Sequence, residues 1–244
     1  MIAALSSTAS AGYGAEKTLS GMITITNMAP TEGTFQTPVW AGIHNGDFDI
    51  YDRNKTVTVA VERLAEDGNV GLLISDFAAS EGAVWDGVVG EAPFGPGATV
   101  ELPFEITVKK GYCHYFSYAS MVLPSNDFWI ANGNPMAYEV INAYGEFIGT
   151  EFMVFGDQVL DAGTEVNDEL PANTAFLNQS MPDTGINEDG FVTLATEGFK
   201  PAGEGGVLDE PMFANADFTA EGYQMIKVTV SEVSGRRASV RGAN

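Results

Sequence analysis

Apolar residues fall at every second position along much of this chain, and no other feature limits its fold as strongly. Val100, Leu102, Phe104, Ile106 and Val108 lie on one side of an extended segment, and residues 22–26, 56–61 and 225–233 alternate in the same way. A period of two sends one side chain into a core and the next into water, a pattern that suits a half-buried strand and not a helix. Shorter candidate strands are residues 70–74, 115–122, 139–143, 151–155 and 191–194. The segments between them are turn formers, among them Asn45-Gly46, Glu66-Asp67-Gly68-Asn69, Asn132-Gly133-Asn134-Pro135 and Glu188-Asp189-Gly190. Helical pattern is confined to residues 61–66, room for one turn or a short helix, and to residues 136–143, which read either way. The sequence therefore predicts an all-β chain, an antiparallel β-sandwich of about eight to ten strands. One domain spans residues 21–235, its first strand (22–26) paired with its last (225–233).

The ends read differently. Met1-Ile2-Ala3-Ala4-Leu5 runs through small residues to Ala9-Ser10-Ala11, which has the A-x-A form of a secretory cleavage site. Residues 1–20 are thus expected to be a signal-peptide remnant or a disordered segment, and the protein secreted or at the cell surface. Residues 236–244, with Arg236, Arg237 and Arg241, read as a flexible basic tail.

Charge narrows the partners. The 244 residues carry 33 Asp and Glu against 11 Lys and Arg, a net charge of −22. Such a surface repels phosphate, which puts nucleic acid and anionic lipid last among partners and cations first. Between Lys110 and Lys200 there is no Lys or Arg, while thirteen Asp and Glu stand there. That stretch is either a metal-binding region or a surface adapted to salt. A single cysteine, Cys113, excludes an internal disulfide and any multi-cysteine metal site, and His44 and His114 are too few for a multi-histidine one. No apolar run is long enough to cross a bilayer as a helix.

Two loops could carry chemistry. Residues 157–169 hold Asp157, Asp161, Glu165, Asp168, Glu169 and Asn167, with Gly163 to turn the backbone. They can offer the hard oxygen atoms that calcium takes, although composition alone favours a solvated acidic loop. Asp127 lies in Pro124-Ser125-Asn126-Asp127-Phe128, polar residues between apolar flanks, as a loop ending a core strand or as an Asx-turn. Asp47, Asp49 and Asp52 fail the EF-hand pattern and read as the wet face of a strand. No G-x-S-x-G, P-loop or H-E-x-x-H is present, and Cys113 and His114 are neighbours that a strand would turn to opposite faces. A pair of carboxylates acting on polysaccharide stays open. Trp40, Trp85, Trp129, Tyr115, Phe116 and Tyr118 are expected in the core rather than on a sugar platform.

Four segments resemble the spondin domain in its bacterial form: residues 37–46 (TPVWAGIHNG), 61–69 (VERLAEDGN), 120–128 (SMVLPSNDF) and 161–169 (DAGTEVNDE). Its animal relatives are the N-terminal modules of F-spondin and mindin, and the similarity runs from about Gly21 to Val233. The pairing of S-M-x-x-P-S-x-D with a later D-A-G-T-[ED] is its most specific part. The resemblance implies a β-sandwich that binds Ca2+ at one end, a role in extracellular or cell-surface adhesion, and no catalysis. By position it makes Asp127, Asp161 and Glu165 the metal ligands. One cysteine stands where the animal modules carry disulfides, and no thrombospondin-type repeat follows, so the animal proteins' partners are not implied. The expectation is a calcium-binding module, not an enzyme, for an unknown extracellular protein or glycan ligand. Two alternatives are a carbohydrate-active enzyme with paired carboxylates and a purely structural acidic surface protein.

Overall fold

In the computed structural model, which describes residues 16–233, most of the alternating runs become strands. The signal-like pattern in residues 1–11 and the basic tail lie outside the described residues. In chain order the elements are β1 (Lys17–Asn27), β2 (Phe35–Gln36), β3 (Val39–His44), α1 (Val59–Asp67), α2 (Gly71–Ala79), β4 (Ala83–Val89) and β5 (Thr99–Val108). There follow β6 (His114–Leu123), β7 (Phe128–Ala131), β8 (Glu139–Ile141), β9 (Thr150–Phe155), β10 (Leu160–Asp161), β11 (Thr193–Leu194) and β12 (Gln224–Glu232).

The strands build the expected sandwich. One sheet has four strands in the order β5-β1-β12-β9, and the other has eight, with β11-β10-β7-β6-β3-β4 in line and β2 and β8 added to β6. All of these pairings are antiparallel. The first and last strands do pair, Ile23 opposite Val230 and Ile25 opposite Val228. β1 starts at Lys17, four residues ahead of the expected domain boundary. Its alternate residues Leu19, Ile23 and Ile25 enter the core between the sheets with Phe104, Phe116, Tyr118, Ile130 and Val228.

β3 is buried at every position and β6 at nearly every one, the mark of strands covered on both faces. Ala41 and Ile43 face the sandwich core, while Trp40, Ala119 and Trp129 face outward into a second core closed by the two helices. Such strands do not alternate, which is why β3 escapes a period-two reading.

Three segments expected as strands are not. Residues 59–61 belong to α1, residues 71–74 to α2, and residues 47–52 form no strand. Thr58 caps α1, its Oγ1 accepting from the amide of Val61 at 3.3 Å, and Gly68 ends the helix in the left-handed region at φ 66°. Val61, Leu64 and Ala65 then share one buried face at helical spacing, and Leu73 and Phe77 do the same on α2. A six-residue window of β-branched residues fits either period, and the outer face of the β3–β6–β7 sheet selects the helix by burying that face. Phe48 and Ile50 reach the same layer from an irregular segment, with Asp49 exposed between them. Among the described residues no helix is long and apolar enough to cross a membrane.

Phe77 is central to this layer, its ring 4.9 Å from Phe48 and 5.3 Å from Trp40. Phe77→Ala is expected to cost about 3–5 kcal/mol in urea unfolding. A loss below about 1 kcal/mol would show that the helices are not part of the core.

Candidate metal centre

The turn between β6 and β7 carries Asp127 into the protein. Ser125 locks it, its hydroxyl donating to the Val122 carbonyl at 2.7 Å and accepting from the amide of Phe128 at 3.1 Å. Asp127 is fully buried. Its Oδ2 accepts from the amides of Thr164 (2.8 Å) and Glu165 (3.1 Å) and from the Thr164 hydroxyl (3.2 Å). The loop of residues 161–169 is therefore wrapped on the Asp127 carboxylate, and Oδ1 is left with no hydrogen-bond partner.

Asp161 opens that loop. Its Oδ1 accepts from the Gly163 amide at 2.7 Å and its Oδ2 from the Asn167 amide group at 2.8 Å, an Asx-turn closed by a second contact. Gly163 sits at φ 68° with the backbone of Phe191 so near that a Cβ would lie 2.7 Å from its nitrogen, so only glycine fits. Further along, both Glu169 oxygens accept backbone amides, from Lys200 at 2.6 Å and Val207 at 2.7 Å. These carboxylates pin loops together.

Glu165 is different. It is fully buried, its Oε1 accepts from the Gly185 amide at 3.0 Å, and its Oε2 has no partner. Gly185 presses on the carboxylate so closely that a Cβ there would lie 2.2 Å from its carbon. Beside it come Glu66, buried at the end of α1, and Asp183, exposed. One oxygen from each of Glu66, Glu165 and Asp183 falls within 4.8 Å of the others, and among the described residues no other group of three such side chains does so. Of the three ligands expected from the sequence, Glu165 belongs to this group. Asp127 and Asp161 stand next to each other on its flank, near enough that Asp161 acts on the Asp127 charge and Asp127 on that of Glu165.

One cation serves all of this acid. Arg63 donates to Glu66 through a very short contact, to Glu62 at 2.9 Å and to Asp67 at 3.0 Å, and lies 3.5 Å from Asp183. It leaves Glu165 unmet. Burial, then the charge of Glu66, pushes the Glu165 carboxyl up to about 7. Burial also raises Glu66 to about 7, partly countered by Thr164 and Arg63, and burial with Asp161 raises Asp127 to about 7. Three neighbouring carboxyls thus resist ionisation, chiefly because burial strips water from the charged form.

Glu66 and Asp183 were not among the expected ligands. A signal for Glu66 does exist: Glu66 and Asp67 occupy the last turn of α1, which holds no basic residue, the end where the helix dipole disfavours acid. Asp183, in an ordinary Pro-Asp-Thr-Gly turn, has none.

His44 is placed for structure. His44 is fully buried, its Nδ1 accepting from the Gly46 amide at 3.1 Å and its Nε2 2.8 Å from the Ser117 hydroxyl. With Nδ1 an acceptor, Nε2 carries the proton and donates to Ser117, so it is no base for that hydroxyl. Burial lowers its pKa to about 4. Compared with known proteins, the chain matches no family model and no curated protein.

These shifts set the pH response of the ion-free protein. A carboxyl with a raised folded pKa stabilises the fold below its unfolded value and loses that contribution as pH rises through the folded one. Glu66 and Glu165, from 4.5 to about 7, and Asp127, from 3.8 to about 7, all place a fall in stability over that window. His44, lowered from 6.5 to about 4, acts oppositely, its contribution present above 6.5 and lost as pH falls through about 4. In urea unfolding with EDTA, Glu165→Gln should reduce the loss of stability between pH 5 and pH 7.5. An unchanged loss would show that Glu165 ionises freely.

Proposed function

We propose that this chain is a non-catalytic, calcium-binding β-sandwich module of the spondin type, serving extracellular or cell-surface binding. The observation that carries the reading is Glu165: an enclosed carboxylate with an unpartnered oxygen, within 4.8 Å of oxygens from Glu66 and Asp183. An orphaned buried anion costs stability unless a cation or proton meets it. The donors are all hard oxygens, the set calcium and magnesium take; calcium's tolerance of irregular geometry and 6–8 ligands suits an assembly drawn from three loops and a helix end. Glu165, Glu66 and Asp183 would hold the ion, and the free Oδ1 of Asp127 adds an oxygen beside them. Asp161, with both oxygens already engaged, would order the loop that presents Glu165.

Calcium's contribution here is charge. It would neutralise the cluster and tie α1 to the loops around residues 165 and 183. The spondin resemblance supports the same end of the sandwich as the binding end, and the A-x-A pattern at residues 9–11 supports an extracellular setting.

Calorimetric titration of EDTA-treated protein should show saturable calcium binding that sodium chloride at equal ionic strength does not reproduce. At one hundred times its dissociation constant, calcium should add about 2.7 kcal/mol of stability. Glu165→Gln should abolish binding with the fold retained. Arg63→Gln, which removes the resident cation, should bind calcium roughly tenfold tighter, a change of about 1.4 kcal/mol, while melting lower in EDTA. Equal stabilisation by calcium and by sodium chloride would replace the metal site with general salt adaptation.

A further inference from the structure

At the end of β7 opposite Asp127 lies a cavity of about 460 Å3 whose walls include Tyr51, Tyr118 and Tyr138. Its size falls within the ~300–1,000 Å3 of small-molecule sites. Its floor is rigid. Asn132 is buried there, its Oδ1 accepting from the Tyr118 amide at 3.0 Å and its Nδ2 donating to the Ser117 hydroxyl at 3.0 Å and the Asn134 carbonyl at 3.1 Å. The aromatic walls are braced from behind: Tyr138 stacks on Phe152, centroids 3.6 Å apart and planes within 9°, and Tyr51 meets Trp129 edge to face at 5.0 Å. The rings of Tyr118 and Tyr138 are neighbours, their centroids 6.3 Å apart.

Charge gives the cavity its direction. Arg53 lines it and, among the described residues, makes no ion pair, in a chain where acids outnumber bases three to one. Asp52, the one acid in the lining, is paired to Lys55 at 2.9 Å. Burial pushes the Tyr51 phenol up, and the nearby charge of Arg53 counters that push. Gln158 and Asn134 add amide groups to the same wall.

A free guanidinium beside fixed aromatic rings, phenols and amides matches a ligand with one carboxylate, an apolar ring face and several hydroxyls. We infer that this cavity binds a carboxylated sugar of the uronic acid type, with Arg53 paired to the carboxylate, a tyrosine ring against the pyranose face, and the phenols and amides on its hydroxyls. The site needs none of the residues of the metal centre, so it stands or falls separately from the calcium reading.

The experiment is saturation-transfer NMR on the full chain, with glucuronate, galacturonate, glucose and acetate as probes, each repeated in EDTA and in calcium. Saturable binding of one uronate, at least tenfold tighter than glucose or acetate and weakened at least tenfold by Arg53→Gln, is the expected result. Tyr138→Phe, which keeps the stacked ring and removes one phenol, should weaken it several-fold with an unchanged melting temperature. No binding of either uronate, equal binding of glucose, equal competition by acetate, or an Arg53→Gln variant that binds as the parent does would each overturn the assignment.

Discussion

Enclosing carboxylates is the constraint on which one end of this molecule depends. An ionised Asp or Glu removed from water needs hydrogen bonds or a countercharge, and the protein supplies these unevenly. Asp127 receives three donors on one oxygen and none on the other; Glu165 receives one on one oxygen and none on the other. The loop of residues 161–169 owes its path to this, since the amides that satisfy Asp127 are those of Thr164 and Glu165. Building the loop around one buried acid thereby delivers a second buried acid to a fixed place.

The helical layer completes the arrangement. Because β3, β6 and β7 are apolar on both faces, the eight-stranded sheet requires a cover, and α1 and α2 provide it through Val61, Leu64, Leu73 and Phe77. The cover also brings Glu66, with Arg63 paired to it, beside Glu165. Packing that looks purely structural thus determines which charges meet. Arg63, engaged with four acids, holds the cluster together while leaving it net negative. The same sheet, at the other end of β7, frames the tyrosine-lined cavity with a floor of hydrogen bonds running from His44 through Ser117 to Asn132.

What could be read along the chain follows from which interactions are local. The alternation of β1, β5, β9 and β12 is visible because each of those strands has one wet face, and it survives intact in the four-stranded sheet. The strands with two dry faces were less legible, and β3 was missed, because burial on both sides erases the alternation. Residues 59–61 and 71–74 of the helices read as strands because short apolar runs fit both periods until a surface is present to select one face. Asp127 is legible because it lies in an apolar setting, and residues 157–169 because they are densely acidic; within that loop only the spondin resemblance singles out Asp161 and Glu165. Glu66 left a faint trace, an acid at the wrong end of a helix.

The sequence by itself determined the all-β class, the alternation of the terminal strands, the net negative charge and the two polar loops that contain Asp127, Asp161 and Glu165. Each of these rests on residue spacing or composition, which a linear chain already contains. Only the tertiary structure decided that Glu165 meets Glu66 and Asp183 rather than standing in a tight trio with Asp127 and Asp161, and that Arg53 has no acid for a partner among the described residues. Residues 66, 165 and 183 are far apart along the chain, and which oxygens converge depends on how the helical layer and loops pack on the sheet. That packing is a sum of long-range contacts, and no local pattern encodes it.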